Sequence, residues 1–269
     1  MTQKMKIGVF DSGLGGLAIA RSIRDALPEH DIIYLGDTLH VPYGSRSAEV
    51  IAQYTEQSMK WLLDHDCQLI IVACNTATAM ALRHIQQNLV ANEYPDRRIL
   101  GVIVPTLEFA SQNGFKRIGL LATERIVKSD IYRTELHKID PEIQLSQHAA
   151  PLLVSAIEMG SSEWFEPLIE AYLKPILANN VECLILGCTH YVLVRDIIDR
   201  YIDKDVYVIS QDDLIPSSVI DYLIRHPEID EQIGRNGTDE FFVTDVTESY
   251  IKNAEMVYNR PITIQKAYI

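Results

Sequence analysis

The chain reads as an α/β protein with mostly parallel sheets, arranged as two pseudo-symmetric halves. Short β-branched apolar runs alternate with helix-length amphipathic stretches almost from end to end, the pattern of βα units. The runs are apolar on both faces, as strands covered by helices on both sides must be. Segments also recur at nearly equal shifts. Lys6-Ile7-Gly8-Val9-Phe10 resembles Arg117-Ile118-Gly119-Leu120-Leu121 at a shift of 111 positions, and the run that ends in Cys74-Asn75-Thr76 resembles the run that ends in Cys188-Thr189-His190 at a shift of 114. Chance likeness between βα units is the alternative explanation, and the matching cysteines weigh against it.

In chain order, the strand candidates are Lys6 to Phe10, Ile32 to Leu35, Leu69 to Ala73, Ile99 to Ile103, Arg117 to Leu121, Cys183 to Leu186 and Val206 to Ile209. Between the second and third, Ala48 to Asp64 places Ile51, Tyr54, Ser58, Trp61 and Leu62 on one face at three- and four-residue spacing, which predicts a sheet-packing helix. The segment after Ser210, through Phe241-Phe242-Val243 to Tyr268, is expected to return and complete the first half. The expected domains are therefore 1–98 plus 210–269, and 99–209. If the halves face each other, pseudo-symmetry brings the carboxyl ends of equivalent strands to one cleft, where α/β sheets bind ligands.

Bulk properties exclude several function classes. The 269 residues, 47% of them hydrophobic, suffice for two ordinary domains or one large one. A net charge of −13 with no basic run argues against nucleic acid as a partner. No apolar stretch approaches the roughly 18 residues needed to span a bilayer. The strand-like Ile7 to Phe10 follows only a few polar residues, so a signal peptide is not expected and a cytoplasmic location is. Cys67, Cys74, Cys183 and Cys188 read as thiols rather than a disulfide framework.

Two loops stand at the expected functional edge. Phe10-Asp11-Ser12-Gly13-Leu14-Gly15-Gly16 follows the first strand and opens a helix, so its glycines allow a tight turn and close ligand approach. Their spacing is not that of a dinucleotide fingerprint. Asp11 either caps the helix or does acid/base or ammonium-binding work. Gly36-Asp37-Thr38-Leu39-His40-Val41-Pro42-Tyr43-Gly44-Ser45 is either a structural turn or a substrate-binding loop.

Cys74-Asn75-Thr76 and Cys188-Thr189-His190 each end a strand just before an expected helix, whose positive dipole end lowers a thiol pKa below about 8.5. Asn, Thr and backbone amides there can bind a carboxylate. Cys67 and Cys183 precede or begin apolar strands and read as small buried hydrophobes. A zinc site from Cys74, Cys188 and His190 lacks a ligand pattern such as CxxC, and so does a redox couple. A single cysteine nucleophile with His190 leaves the second cysteine unexplained. Plain packing is the remaining alternative. Two thiols across a cleft suit removal of a proton from one face of a carbon and delivery to the other, which is racemisation.

GVFDSGLGG at 8–16, GDTxxxPYG at 36–44, ACNTA at 73–77 and GCTHY at 187–191 together resemble the glutamate racemases of the aspartate/glutamate racemase family, as do IGLLATERIVKSDIY at 118–132 and PLLVSAIE at 151–158. The resemblance implies two flavodoxin-like, doubly wound domains with the active site in the cleft between them. It implies no pyridoxal phosphate, no other cofactor and no metal, and D-glutamate made for peptidoglycan. It makes Cys74 and Cys188 the catalytic acid/base pair, with Asp11 and His190 tuning their respective thiols and Glu158 supporting His190. Asp11, Ser12, Tyr43, Gly44, Asn75, Thr76, Thr189 and His190 would bind the carboxylates and ammonium of glutamate. A homodimer is the assembly the resemblance allows. An aspartate or other amino-acid racemase of the same family, or a non-catalytic small-molecule-binding protein on this fold, is the alternative function.

Three positions bear on family pattern. Val192 stands where a proline commonly follows GCTHY, and Ser210-Gln211 stands where Asp-Ser is common, whereas His40-Val41 before Pro42 lies within family variation. None touches the two cysteine motifs. The departures bear on loop shape, regulation and substrate stringency.

Overall fold

A computed structural model describes residues 4–269. Among the described residues, ten strands form two separate sheets in which every pairing is parallel. The first contains β1 (Lys6–Asp11), β2 (Ile32–Gly36), β3 (Cys67–Val72), β4 (Arg98–Gly101), β9 (Asp239–Val243) and β10 (Ile264–Lys266), in the order β10-β9-β2-β1-β3-β4. The second contains β5 (Arg117–Ala122), β6 (Gln144–Ala149), β7 (Cys183–Gly187) and β8 (Tyr207–Ile209), in the order β6-β5-β7-β8.

The two-residue repeat of the strands sorts their side chains between two cores on each sheet. In β1, Ile7 and Val9 enter one cluster and Phe10 the other, and in β3 Leu69 and Ile71 are separated from Ile70 and Val72 in the same way. In β7, Leu184 and Leu186 pack on one face of the second sheet while Cys183 and Ile185 pack on the other. Both faces are therefore dry, as the unbroken apolar runs require. The helix Ala48–Asp64 covers one face of the first sheet with Ile51, Met59 and Leu62 and is capped by Ser47, whose side chain accepts from the Val50 amide.

The chain passes between the halves twice. The strand expected at Ile99 to Ile103 as the opening of the second domain is instead β4, which pairs Ile70 with Ile99 at the edge of the first sheet. At Ile103 the backbone turns helical, and the helix Ile103–Gln112 places Ile103, Leu107 and Ala110 on the second sheet. The return runs from β8 into the helix Gln211–Arg225, whose Ile215, Val219 and Leu223 join the core of the first sheet. Phe241 and Val243 of β9 also belong to that core.

β6 was not anticipated. It is an edge strand of sequence QLSQHA, in which only Leu145 is fully buried, so it lacks the apolar run that marks a central strand. Among the described residues no helix is long and apolar enough to cross a membrane.

Candidate active site

The site forms where β1, β3, β5 and β7 end. Ala73 continues the ladder by donating to the Phe10 carbonyl at 2.8 Å, so Cys74 emerges beside Asp11 and Ser12. Cys74 caps a helical run over 75–93, two stretches of which, Thr78–Leu82 and Gln86–Val90, are π-helical. Its Sγ lies 3.5 Å from Ser12 Oγ and accepts from the Ala77 amide at 3.5 Å. Cys188 follows β7 and leads into the 3-10 helix Thr189–Val194, which the short α-helix Arg195–Ile198 and a further 3-10 turn continue. A helical segment follows each cysteine, as expected, but at Cys188 it opens with 3-10 turns rather than a regular α-helix, so fewer aligned peptides face that thiol.

Cys74 and Cys188 line one small cavity with Ser12, Tyr43, Gly44, Asn75, Thr76, Thr189 and His190. Every residue expected to contact substrate thus lies there except Asp11, which sits beneath. Asp11 accepts from the Gly13 and Gly16 amides through Oδ2, at 3.1 and 3.0 Å, and from Thr189 Oγ1 through Oδ1 at 3.1 Å. One oxygen thus holds the helix start, as the capping reading expects, while the other crosses to the second half.

The glycines make that crossing tight. A Cβ at Gly15 would lie 2.5 Å from both the His190 nitrogen and the Thr189 carbonyl carbon.

The thiols have unlike neighbours. Burial, and then the charge of Asp11, push the Cys74 thiol up to about 12, against partial relief from Ser12 and the Ala77 amide. This corrects the expected depression at the helix start, because desolvation outweighs the dipole in so dry a site. Cys188 Sγ faces His190 Nδ1 at 3.8 Å. His190 Nε2 meets Glu158 Oε1 at 2.5 Å, and the same oxygen accepts from the Leu14 amide at 2.8 Å.

Burial disfavours the charged His190, yet bonds to Cys188 and Glu158, with the charge of Glu158, raise it well above 6.5. Burial likewise pushes Glu158 up, but His190 and the Leu14 amide carry it below its ordinary value. Asp11 is raised, its burial outweighing His190 and its three hydrogen bonds. One thiol therefore sits near a buried carboxyl group and the other beside an imidazole that Glu158 favours in its protonated form.

Tyr43 is buried, and its hydroxyl donates to Asp37 Oδ2 at 2.6 Å, so toward a ligand it is left with its oxygen and ring. Asp37 also accepts from Thr244 at 2.8 Å and bonds His40 at 2.9 Å, which fixes the 36–45 loop. Gly44 presses on Thr123, to whose Cβ an added methyl would come within 2.8 Å.

Thr123 was missed by the sequence reading. It lines the cavity, bonds Thr76 Oγ1 at 3.0 Å and caps the helix Glu124–Ser129. A signal existed, since the shift of 111 that pairs Ile7 with Ile118 also pairs Ser12 with Thr123. Cys67 and Cys183 are fully buried in the cores, away from the cavity. Among the described residues no group of three or more His, Cys, Asp or Glu side chains is placed to hold a metal ion.

A model of the Asp/Glu/hydantoin racemase family matches residues 17–212. The chain is 35% identical over 271 aligned positions to the glutamate racemase of Dinoroseobacter shibae, covering 96% of this chain and 97% of that one. It superposes on a glutamate racemase isoform from Bacillus anthracis with a TM-score of 0.89 at 29% identity, covering 98% of each chain. With the glutamate racemase of Francisella tularensis, solved in complex with D-glutamate, the TM-score is 0.87 at 29% identity, covering 99% of this chain and 97% of that one.

Proposed function

The chain belongs to the Asp/Glu/hydantoin racemase family, and from that membership we propose that Cys74 and Cys188 are the acid and base with which it interconverts L- and D-glutamate. It is an isomerase, and glutamate is its substrate. In this reading it acts in the cytoplasm, and its D-glutamate feeds peptidoglycan synthesis. Residues 4–101 with 211–269 form one domain, and 103–209 the other. The observation that carries the assignment is that two thiols from equivalent strand ends line one cavity, Cys188 with His190 Nδ1 at 3.8 Å and Cys74 within reach of the charge of Asp11.

One sulfur, as thiolate, removes the α-proton from one face of the substrate while the other, as thiol, delivers a proton to the opposite face. Each passage exchanges the protonation states of the sulfurs, which prepares the site for the opposite enantiomer. Asp11 can accept the Cys74 proton, and protonated His190 can supply one to Cys188. Negative charge develops on the α-carboxylate as the Cα–H bond breaks, and donors in a dry site stabilise it most. Asn75, Thr76, Thr123 and Thr189 supply such groups around the cavity.

The cavity, about 10 Å³, is roughly the room needed by one water molecule. Glutamate enters only if the domains part, which breaks the Asp11–Thr189 bond and the bond from the Leu14 amide to Glu158. Closure then excludes water from the reacting carbon.

The test is α-deuterium incorporation from D2O into each glutamate enantiomer, comparing the unmodified protein with Cys74→Ser and Cys188→Ser. Both substitutions are expected to reduce racemisation to a trace, and full activity in either rejects the two-thiol assignment. Turnover of aspartate with none of glutamate would overturn the substrate.

A further inference from the structure

Next to Cys74, Asn75 belongs to a fully enclosed polar cluster at the place where the chain crosses between the domains. Gln211 opens the returning helix, Thr106 lies on the outgoing helix, and Tyr132 comes from the core of the second domain. Asn75 is 2% exposed and the other three 0%.

An amide side chain offers an oxygen at one end and an NH2 group at the other, and its neighbours decide which way round it sits. Here the decision traces back to the backbone. The Thr106 hydroxyl donates to the Val102 carbonyl at 2.6 Å, and a carbonyl can only accept. Its proton spent, Thr106 Oγ1 can only accept from Gln211, so the Gln211 atom 3.3 Å away is Nε2. Gln211 Oε1 must then accept from Asn75 Nδ2, at 2.7 Å, while Gln211 Nε2 gives its second proton to Asn75 Oδ1 at 2.9 Å. Tyr132 donates to the same Oδ1 at 2.6 Å.

Both lone pairs of Asn75 Oδ1 are therefore occupied, and one Nδ2–H is the capacity left to its side chain. Any bond from that side chain to a molecule in the cleft is donated.

We propose that Gln211 is a positioning residue: the relay from Val102 through Thr106 and Gln211 orients Asn75 so that it meets glutamate as a donor to a carboxylate, never as an acceptor for the ammonium. The proposal rests on the glutamate reading above. It also gives a role to the Gln211 departure from the family's usual residue, since a serine is too short to hold both ends of Asn75 and reach Thr106 at once.

Gln211→Met preserves volume and removes both amide ends. It is expected to lower kcat/KM for glutamate on the order of tenfold, the worth of one hydrogen bond to a charged group. Asn75→Ala should cost about as much. If Gln211 acts through Asn75, adding Gln211→Met to Asn75→Ala changes kcat/KM by less than about twofold. Thr106→Val, which removes the acceptor at the head of the relay, serves as the second variant if Gln211→Met does not fold, and its smaller loss should likewise vanish in Asn75→Ala. Multiplying losses, or undiminished activity in a folded Gln211→Met protein, overturns the proposal.

Failure of the parent protein to turn over glutamate would sink the functional reading alone. The relay is then judged from the Asn75 side-chain amide in NMR, which should exchange slowly in the parent and rapidly in Gln211→Met. Unchanged protection overturns it.

Discussion

Asp11 Oδ1 accepts a hydrogen bond from Thr189 Oγ1 at 3.1 Å across the cleft, while the charge of the same carboxylate raises the Cys74 thiol. The same carboxyl thus links the two halves and, in the proposed mechanism, takes the Cys74 proton. Asp11→Asn can keep its one oxygen on the Gly13 and Gly16 amides and turn its NH2 group to Thr189 Oγ1, which then accepts, but it offers no base for the Cys74 proton. Its expected loss is about 10²-fold to 10³-fold in kcat, the usual worth of one acid/base group, with little change in thermal midpoint. A loss below about threefold would remove Asp11 from the proton path.

The unlike partners of the two thiols have a constrained kinetic signature. L- and D-glutamate have equal free energies in water, so kcat/KM must stay equal in the two directions for every variant. The asymmetry must appear elsewhere. In Asp11→Asn, proton removal by Cys74 becomes slower relative to removal by Cys188, so the effect of α-deuteration on kcat/KM should grow for one enantiomer and not for the other. Equal isotope effects for both enantiomers would show that Asp11 does not serve Cys74 selectively.

His190 and Glu158 set the pH response. His190 is raised, so its contribution to stability is full below its ordinary 6.5 and disappears as pH rises through its folded value. Glu158 is lowered, so its contribution is present above its ordinary 4.5 and disappears as pH falls through its folded value. Both act fully between about 4.5 and 6.5. Glu158→Gln removes the charge that holds His190 protonated. The alkaline limb of the stability profile, followed as thermal midpoint against pH, should then move to lower pH. The loss near pH 6 should be about 1–3 kcal/mol, as for an impaired buried bond. An unmoved alkaline limb would mean that His190 is held by something other than Glu158.

Much of this was legible in the sequence because it follows from period and position. β1, β3, β5 and β7 are apolar on both faces, and the helix Ala48–Asp64 spans the expected residues. Cys74 and Cys188 both stand at the strand ends where topology places ligands. What escaped depends on tertiary neighbours. β6 takes its strand conformation from pairing with β5 rather than from its own polar residues. The raised Cys74 thiol reflects the dryness of the closed cleft, which no local motif reports. Thr123 was hidden because its motif neighbours do not resemble those of Ser12, although the repeat shift aligns them.

The two remaining cysteines supply an internal control. Cys67 and Cys183 are packed in the cores on β3 and β7, away from the cavity that Cys74 and Cys188 line, and burial pushes the Cys183 thiol up to about 12. Cys67→Ala and Cys183→Ala should each retain parental kcat/KM and lose about 1–2 kcal/mol of stability through the small cavity created. Calorimetry and racemisation rates on the same samples separate the two effects. A rate loss beyond about threefold in either would give that thiol a part in the chemistry.

Gly15 isolates closure from chemistry. It carries no reacting group, yet a methyl there would meet the His190 nitrogen and the Thr189 carbonyl carbon at 2.5 Å, and both are backbone atoms that cannot rotate away. The first domain can accept Gly15→Ala without strain, because Gly15 has φ −62 and ψ −32, which any residue adopts. The clash arises only when the second domain comes down onto the loop. Held apart by about an ångström, the thiols lose their alignment across the substrate carbon, a displacement that costs on the order of 10²-fold in rate. Gly15→Ala should therefore fold with a near-parental thermal midpoint and lose at least that much kcat/KM. Small-angle scattering should show a more open molecule in the presence of glutamate. Parental activity would mean that catalysis does not require the tight seating of Thr189-His190 on the glycine loop.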